Sequence, residues 1–204
     1  DLLKDKACIY LSYMTGILPI KKYGTHSALN MFDEFSMIAP GPLACYVGFT
    51  EQEVKKLCEQ YGMDMEEVKN WYDGYFTGSG KRLYNPRSVV MALRFNQLSN
   101  YWTSSGPYDE IFYYIKNNVA DVKADLALMV AGEAVQAKVR EYAAASMNLS
   151  TKNEIFSAMV VYGFLSYENG KVRIPNKELM EKFDEMLQKE KSLGYIYRLA
   201  KESD

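Results

Sequence analysis

The sequence predicts a mainly α protein with minor β: a helical region, then a helix–hairpin–helix unit, with one apolar strand ahead of both. Three observations predict it. Apolar residues recur at helical spacing through most of residues 50–132 and again from Ile155 to Leu187. The dipeptide Asn169–Gly170 separates two short extended runs in "FLSYENGKVRIP", the strongest local hairpin signal. Ala7–Thr15 is almost continuously apolar rather than alternating, as strands buried on both faces are.

Residues 1–7, "DLLKDKA", read as the end of a helix leading into that strand. The strand closes on Thr15–Gly16, and a small polar residue at a strand end often reaches a ligand crevice at the carboxyl edge of a sheet. Thr25 or Ser27 is placed to cap a short helix over Ala28–Phe35, and "APGPLACYVG" (Ala39–Gly48) is a turn region. Thr50 and Glu53 form a capping box that opens a helix with Val54, Leu57, Cys58 and Tyr61 on one face. A second start at "MDMEEVKNWY" places Met65, Val68, Trp71 and Tyr72 together.

A loop with two short extended pieces follows, and then a helix opened by Asn85 with Pro86 in its first position. Asp109–Asn117 and Ala120–Gly132 read as helices, and Ala134–Tyr142 as a strand or extended segment. A helix from Ser150 or Thr151 carries Ile155, Phe156, Met159, Val160 and Phe164 and is broken by Gly163. After the hairpin, Pro175 ends the second run and Asn176 caps an amphipathic helix over Leu179–Leu187. Helix, hairpin and helix give the outline of a winged-helix unit. Ile155, Phe156, Met159, Leu165, Val172, Ile174, Leu179, Phe183 and Leu187 are expected to be buried together.

The 204 residues suffice for one large domain or two small ones. An apolar fraction of 48%, with 25% charged residues, is that of an ordinary soluble globular protein. A net charge of −2 gives no electrostatic argument for non-specific nucleic-acid binding. No apolar stretch is as long as a membrane span, and no signal peptide is expected. Cys8, Cys45 and Cys58 lack CxxC spacing, so neither a metal cluster nor a disulfide framework is expected, and Cys8 and Cys58 read as core residues. A reducing cytoplasm fits. The 17 tyrosines, clustered as Tyr72/Tyr75, Tyr113/Tyr114 and Tyr195/Tyr197, suggest aromatic cores with polar edges or an interface.

No phosphate-loop signature occurs, and "GSGK" (Gly78–Lys81) reads as a hairpin turn. His26, the single histidine, stands in a polar loop with no second histidine or cysteine to share a metal. The carboxylate pairs Asp33/Glu34, Glu66/Glu67 and Asp109/Glu110 are explained by helix starts and solvated faces. "WYDGY" (Trp71–Tyr75) reads as an aromatic-anchored turn with Asp73–Gly74 at its tip. No complete active site emerges.

Taken in order, "YMTGILPI" (Tyr13–Ile20), "SALNMF" (Ser27–Phe32), "GFTEQEV" (Gly48–Val54), "WYDGY", "YNPRSV" (Tyr84–Val89), "YW" (Tyr101–Trp102) and "GFLSYENGKVRIPNKEL" (Gly163–Leu179) resemble the bacterial AAA-ATPase-like family. In that family a P-loop ATPase domain and its helical lid precede a PD-(D/E)XK nuclease domain. The resemblance implies a fragment running from the sensor strand through the lid. Residues 1–38 would be a remnant of the P-loop α/β core, 39–148 the helical lid region, and 149–204 the winged-helix-like unit and the start of a linker helix.

By the same resemblance, Thr15 would be the sensor residue near the γ-phosphate and the attacking water. A strand-end cap is the structural alternative for it. ATP and Mg²⁺ belong to the parent protein, with no cofactor expected in this chain. The partners would be the N-terminal P-loop core and the C-terminal nuclease domain of the same protein, with nucleic acid reached through the parent. Self-association through the N-terminal strand is a further expectation. The family often has Trp where Arg87 stands, so its pattern does not support Arg87 as a nucleotide-reaching lid arginine.

The chain thus reads as the lid or regulatory region of an ATPase, without complete catalytic machinery of its own. The alternative is a winged-helix nucleic-acid-binding or protein-interaction module. Against nucleic acid, Lys152, Lys171, Arg173, Lys177 and Lys182 are interspersed with Glu154, Glu178, Glu181 and Asp184, a mixture suited to a solvated or protein-facing surface.

Overall fold

The computed structural model describes residues 6–16, 33–78, 80–103, 111, 113–115, 117, 121–140 and 149–189. Among these the fold is mainly helical with a few short antiparallel strands.

Three helices form the first core: α1 (Glu51–Tyr61), α2 (Met65–Tyr72) and α3 (Pro86–Phe95). Each begins where a side chain takes over an orphan backbone amide. The Thr50–Glu53 capping box closes in both directions, with Glu53 Oε2 2.8 Å from the Thr50 amide. Asp64 accepts from the Glu67 amide at 2.9 Å, and Asn85 accepts from the Ser88 amide at 3.2 Å, with Pro86 at the first position. Val54, Cys58, Val68, Tyr72, Tyr84, Val89, Ala92 and Leu93 are packed together between these helices.

The second core gathers the rest. Helices α4 (Val122–Val130), α5 (Lys152–Val161) and α6 (Lys177–Lys189) surround a three-stranded antiparallel sheet. Its strands are β3 (Val135–Gln136), β4 (Ser166–Glu168) and β5 (Lys171–Arg173), in the order β3–β5–β4. The turn joining β4 to β5 puts Asn169 at φ 50° and Gly170 at φ 79°, the pair of left-handed residues that a tight hairpin turn demands. Of the Ala134–Tyr142 span expected to be extended, Val135–Gln136 form β3, which adds a strand to the hairpin, and residues 141–142 lie outside the described residues. A shorter pair, β1 (Tyr75–Phe76) and β2 (Arg82–Leu83), joins the two cores. Tyr75 and Leu83 lie in the second core, and the Phe76 amide donates to Ser166 Oγ at 2.9 Å.

Eight of the nine residues expected to be buried together in the C-terminal unit share this second core. Leu187 is also buried, but it packs against Ala127 of α4 instead. By that point α6 has run past the hairpin onto its helical neighbour.

The N-terminal expectation is corrected. Residues 9–15 form no strand, and Tyr10, Leu11 and Tyr13 are 97%, 88% and 77% exposed. A strand satisfies its backbone only on a neighbour, and both sheets close without this segment. Cys8 is consequently exposed rather than a core residue, whereas Cys58 is buried. Asp33–Phe35 are not helical, and the remainder of the Ala28–Phe35 helix, with Thr25, Ser27 and His26, lies outside the described residues. Among the described residues no helix is long and apolar enough to cross a membrane.

Candidate functional site

Three separate stretches of the sequence meet at one buried carboxylate. Glu178, two residues into the last helix, is 0% exposed. Its Oε1 accepts from the Tyr101 amide at 2.7 Å and the Trp102 amide at 2.8 Å. The Ser88 hydroxyl lies 2.9 Å from Oε1 and 2.8 Å from Oε2. The Glu178 carbonyl also accepts from Asn100 Nδ2 at 2.9 Å. Thus "NPRS", "YW" and "NKEL" are tied together by α3, the loop after it and α6.

The loop is held from its other side by Tyr72, whose hydroxyl donates to the Ser99 carbonyl at 2.9 Å and accepts from its amide at 3.0 Å. Trp102 then lays its ring 5.2 Å from that of Phe164. Burial pushes the Glu178 carboxyl above its ordinary pKa, and the Trp102 and Tyr101 amides and the Ser88 hydroxyl pull the other way. Among the described residues its side-chain hydrogen-bond partners are these two amides and the hydroxyl, none of them a cation. With its lone pairs directed at these donors, Glu178 couples the two cores and is not poised as a general base.

The open polar surface lies beside this knot. A cleft of about 570 Å³ is lined by Glu51, Lys69, Asp73, Lys81, Arg82 and Tyr84, together with Cys45 and the first turn of α1. A second, of about 390 Å³, shares Lys69, Asp73 and Arg82 and runs on to Asn176 and Lys177. Two ion pairs organise the junction: Asp73 Oδ2 to Arg82 Nη2 at 2.7 Å, and Glu51 Oε1 to Lys69 Nζ at 2.7 Å. Burial raises the Asp73 pKa, while the Gly74 amide and the Arg82 charge hold it down. Among the described residues Asp73 Oδ1 has no hydrogen-bond partner, and neither has the buried Tyr84 hydroxyl. Burial, with Asp73 and Glu51 nearby, pushes the Tyr84 phenol well above its ordinary range.

"WYDGY" is therefore no exposed turn tip. Tyr72, Asp73, Gly74 and Tyr75 are all buried, and Gly74, at φ 106°, lies against Pro175. A Cβ there would stand 2.0 Å from the Pro175 carbonyl oxygen. The aromatic neighbours of Asp73 were the signal that it is enclosed, whereas Arg82 and Tyr84 carried no signal of their own. The charges interspersed around Glu178 point to a solvated or protein-facing surface, and its burial corrects that expectation.

The other candidates stand apart. Thr15 is exposed in the N-terminal segment. Arg87 is exposed on α3, with Nε 3.5 Å from the Tyr101 carbonyl. Glu66 and Glu67 are exposed in the first turn of α2, Asp33 and Glu34 are exposed as well, and Asp109 and Glu110 lie outside the described residues. Among the described residues no three His, Cys, Asp or Glu side chains gather to hold a metal ion.

Over 109 residues the chain is 28% identical to a protein of Azotobacter chroococcum mcd 1 described as an uncharacterized protein in the vnfD 5' region. The alignment takes in 52% of this chain and 20% of that protein, so the chain spans only a fraction of its relative's length. No family model matches the chain, and no solved structure does.

Proposed function

We propose that this chain is the lid or regulatory region of a bacterial AAA-ATPase-like protein, with the hydrolytic centre supplied by a P-loop core elsewhere in the parent polypeptide. The observation that carries the reading is the convergence at Glu178. Ser88, Tyr101, Trp102 and Glu178 belong to three of the seven pieces whose order resembles that family, and they form one buried bond network. Such a network ties the two cores together, as a lid that transmits nucleotide state would need. The far greater length of the Azotobacter relative is in keeping with a larger parent.

Within this reading, residues 1–38 belong to the ATPase core and Thr15 is its sensor, 39–148 are lid, and 149–204 a winged-helix-like unit. ATP and Mg²⁺ bind the parent's core, a PD-(D/E)XK nuclease domain follows, and the parent works in the cytoplasm. The third strand that β3 adds to the hairpin supports the winged-helix outline.

A direct nucleic-acid reader is less well supported. Arg173 lies 3.9 Å from Glu168, Lys177 3.8 Å from Glu181 and Lys182 3.9 Å from Glu185. Cations so countered favour a protein-facing surface over one that tracks phosphates. The test is calorimetry and turnover with Mg·ATP. The parent polypeptide binds and hydrolyses, and this chain alone does neither. Turnover by the pure chain, abolished by a point substitution within it, would overturn the assignment.

A further inference from the structure

Arg82 and Lys81 stand side by side on the cleft of about 570 Å³. Arg82 is fixed twice: Asp73 Oδ2 lies 2.7 Å from Nη2, and the guanidinium carbon lies 5.2 Å from the centre of the Phe76 ring. Asp73 is 4% exposed, while the Arg82 side chain is 51% exposed. A guanidinium presents several N–H donors in a rigid fork, so its open edge has donors to give beyond the ion pair.

Lys81 has no carboxylate partner among the described residues. Its Nζ contacts Cys45 Sγ at 2.8 Å, and a thiol is a weak acceptor for an ammonium. Across the cleft Lys69 is already matched by Glu51. Lys69, Lys81 and Arg82 against Glu51 and Asp73 leave an excess of positive charge at the Lys81 side. The first turn of α1, Thr50–Gln52, lines the same cleft, its Thr50 and Glu53 amides already taken by the capping box. Tyr84, 1% exposed, lines it too, and its hydroxyl has no partner among the described residues.

We propose that this cleft is a subsite for a phosphate group, with Arg82 and Lys81 as its ligating residues and Asp73 as the positioning residue that holds Arg82 in place. The open edge of a guanidinium fork, an ammonium and the unpartnered Tyr84 hydroxyl suit a tetrahedral oxyanion, whose several oxygens accept from different directions. Asp73 meets Arg82 through Oδ2 and Nη2 alone, which leaves the rest of the guanidinium fork open to an anion. The inference rests on this cleft alone and is independent of the ATPase reading.

The experiment is a titration of the whole chain, at constant ionic strength, with inorganic phosphate and separately with O-phosphoserine, followed by amide NMR. The expected result is saturable shifts confined to residues lining the cleft. Arg82→Ala should weaken binding roughly tenfold and Lys81→Ala several-fold. Lys81 is exposed, so its variant keeps the fold. Asp73→Asn should move the Arg82 Nη–Hη resonances toward their solvent-exposed position and weaken phosphate binding, whereas Lys81→Ala leaves those resonances unmoved. Tighter binding of O-phosphoserine assigns the subsite to phosphate monoesters, and tighter binding of inorganic phosphate assigns it to the free ion. Non-saturating shifts, or unchanged affinity in both the Arg82 and Lys81 variants, would overturn the proposal.

Discussion

Ser88 and Glu178, ninety residues apart in sequence, share a buried hydrogen bond in which one hydroxyl faces both carboxylate oxygens at 2.9 and 2.8 Å. The contact joins the first turn of α3 to the first turn of α6, and so one packed core to the other.

Replacing that pair of acceptor oxygens should be costly. Glu178→Gln keeps one acceptor oxygen but turns an amide NH₂ toward donors, and is expected to cost about 1–3 kcal/mol. Ser88→Ala leaves both backbone amides bonded and should cost less, about 1 kcal/mol. Urea unfolding midpoints check both. A Glu178→Gln variant as stable as wild type would mean that the knot does not couple the cores.

The same residue sets a pH dependence. Burial raises its folded-state pKa, so the folded chain holds that proton more tightly than the unfolded chain does. Its contribution is therefore fully present below the unfolded pKa and is lost as pH rises through the raised folded value. The stability difference, wild type minus Glu178→Gln, should fall as pH rises through and above the ordinary glutamate range. A difference that grows with pH would show that hydrogen bonding outweighs desolvation at this site.

Gly74 and Gly62 separate close packing from backbone conformation. Both have positive φ, 106° and 69°, but only at Gly74 would a Cβ meet backbone, the Pro175 carbonyl. Gly74→Ala should cost about 3 kcal/mol or more, and Gly62→Ala about 1 kcal/mol. Thermal melting of the two variants side by side tests the distinction.

What the sequence revealed follows from where the information is local. Caps at Thr50, Asn85, Thr151 and Asn176 and the turn at Asn169–Gly170 depend on neighbouring residues, and each lies where local chemistry puts it. The exposure of Tyr10 and Leu11 was hidden, because an apolar run reads as a buried strand whether or not a sheet is at hand. Glu178 was hidden for the converse reason. Its burial depends on Ser88, Tyr101 and Trp102, and nothing in "NKEL" announces partners so far away in sequence.

Residues 7–15 should exchange their amide hydrogens quickly in this chain and slowly in the parent polypeptide, where the proposed core supplies strand neighbours. Hydrogen–deuterium exchange on both proteins decides the point. Equal, fast exchange in both would remove the sensor-strand assignment.

The most direct measurement is Mg·ATP turnover and affinity of the parent polypeptide with Thr15→Ala. A hydroxyl aimed at the γ-phosphate and its water acts in the transition state more than in binding. The account predicts a fall in kcat of roughly tenfold or more with nucleotide Kd nearly unchanged. Equal loss of both with a lowered Tm, or no effect on either, would contradict it.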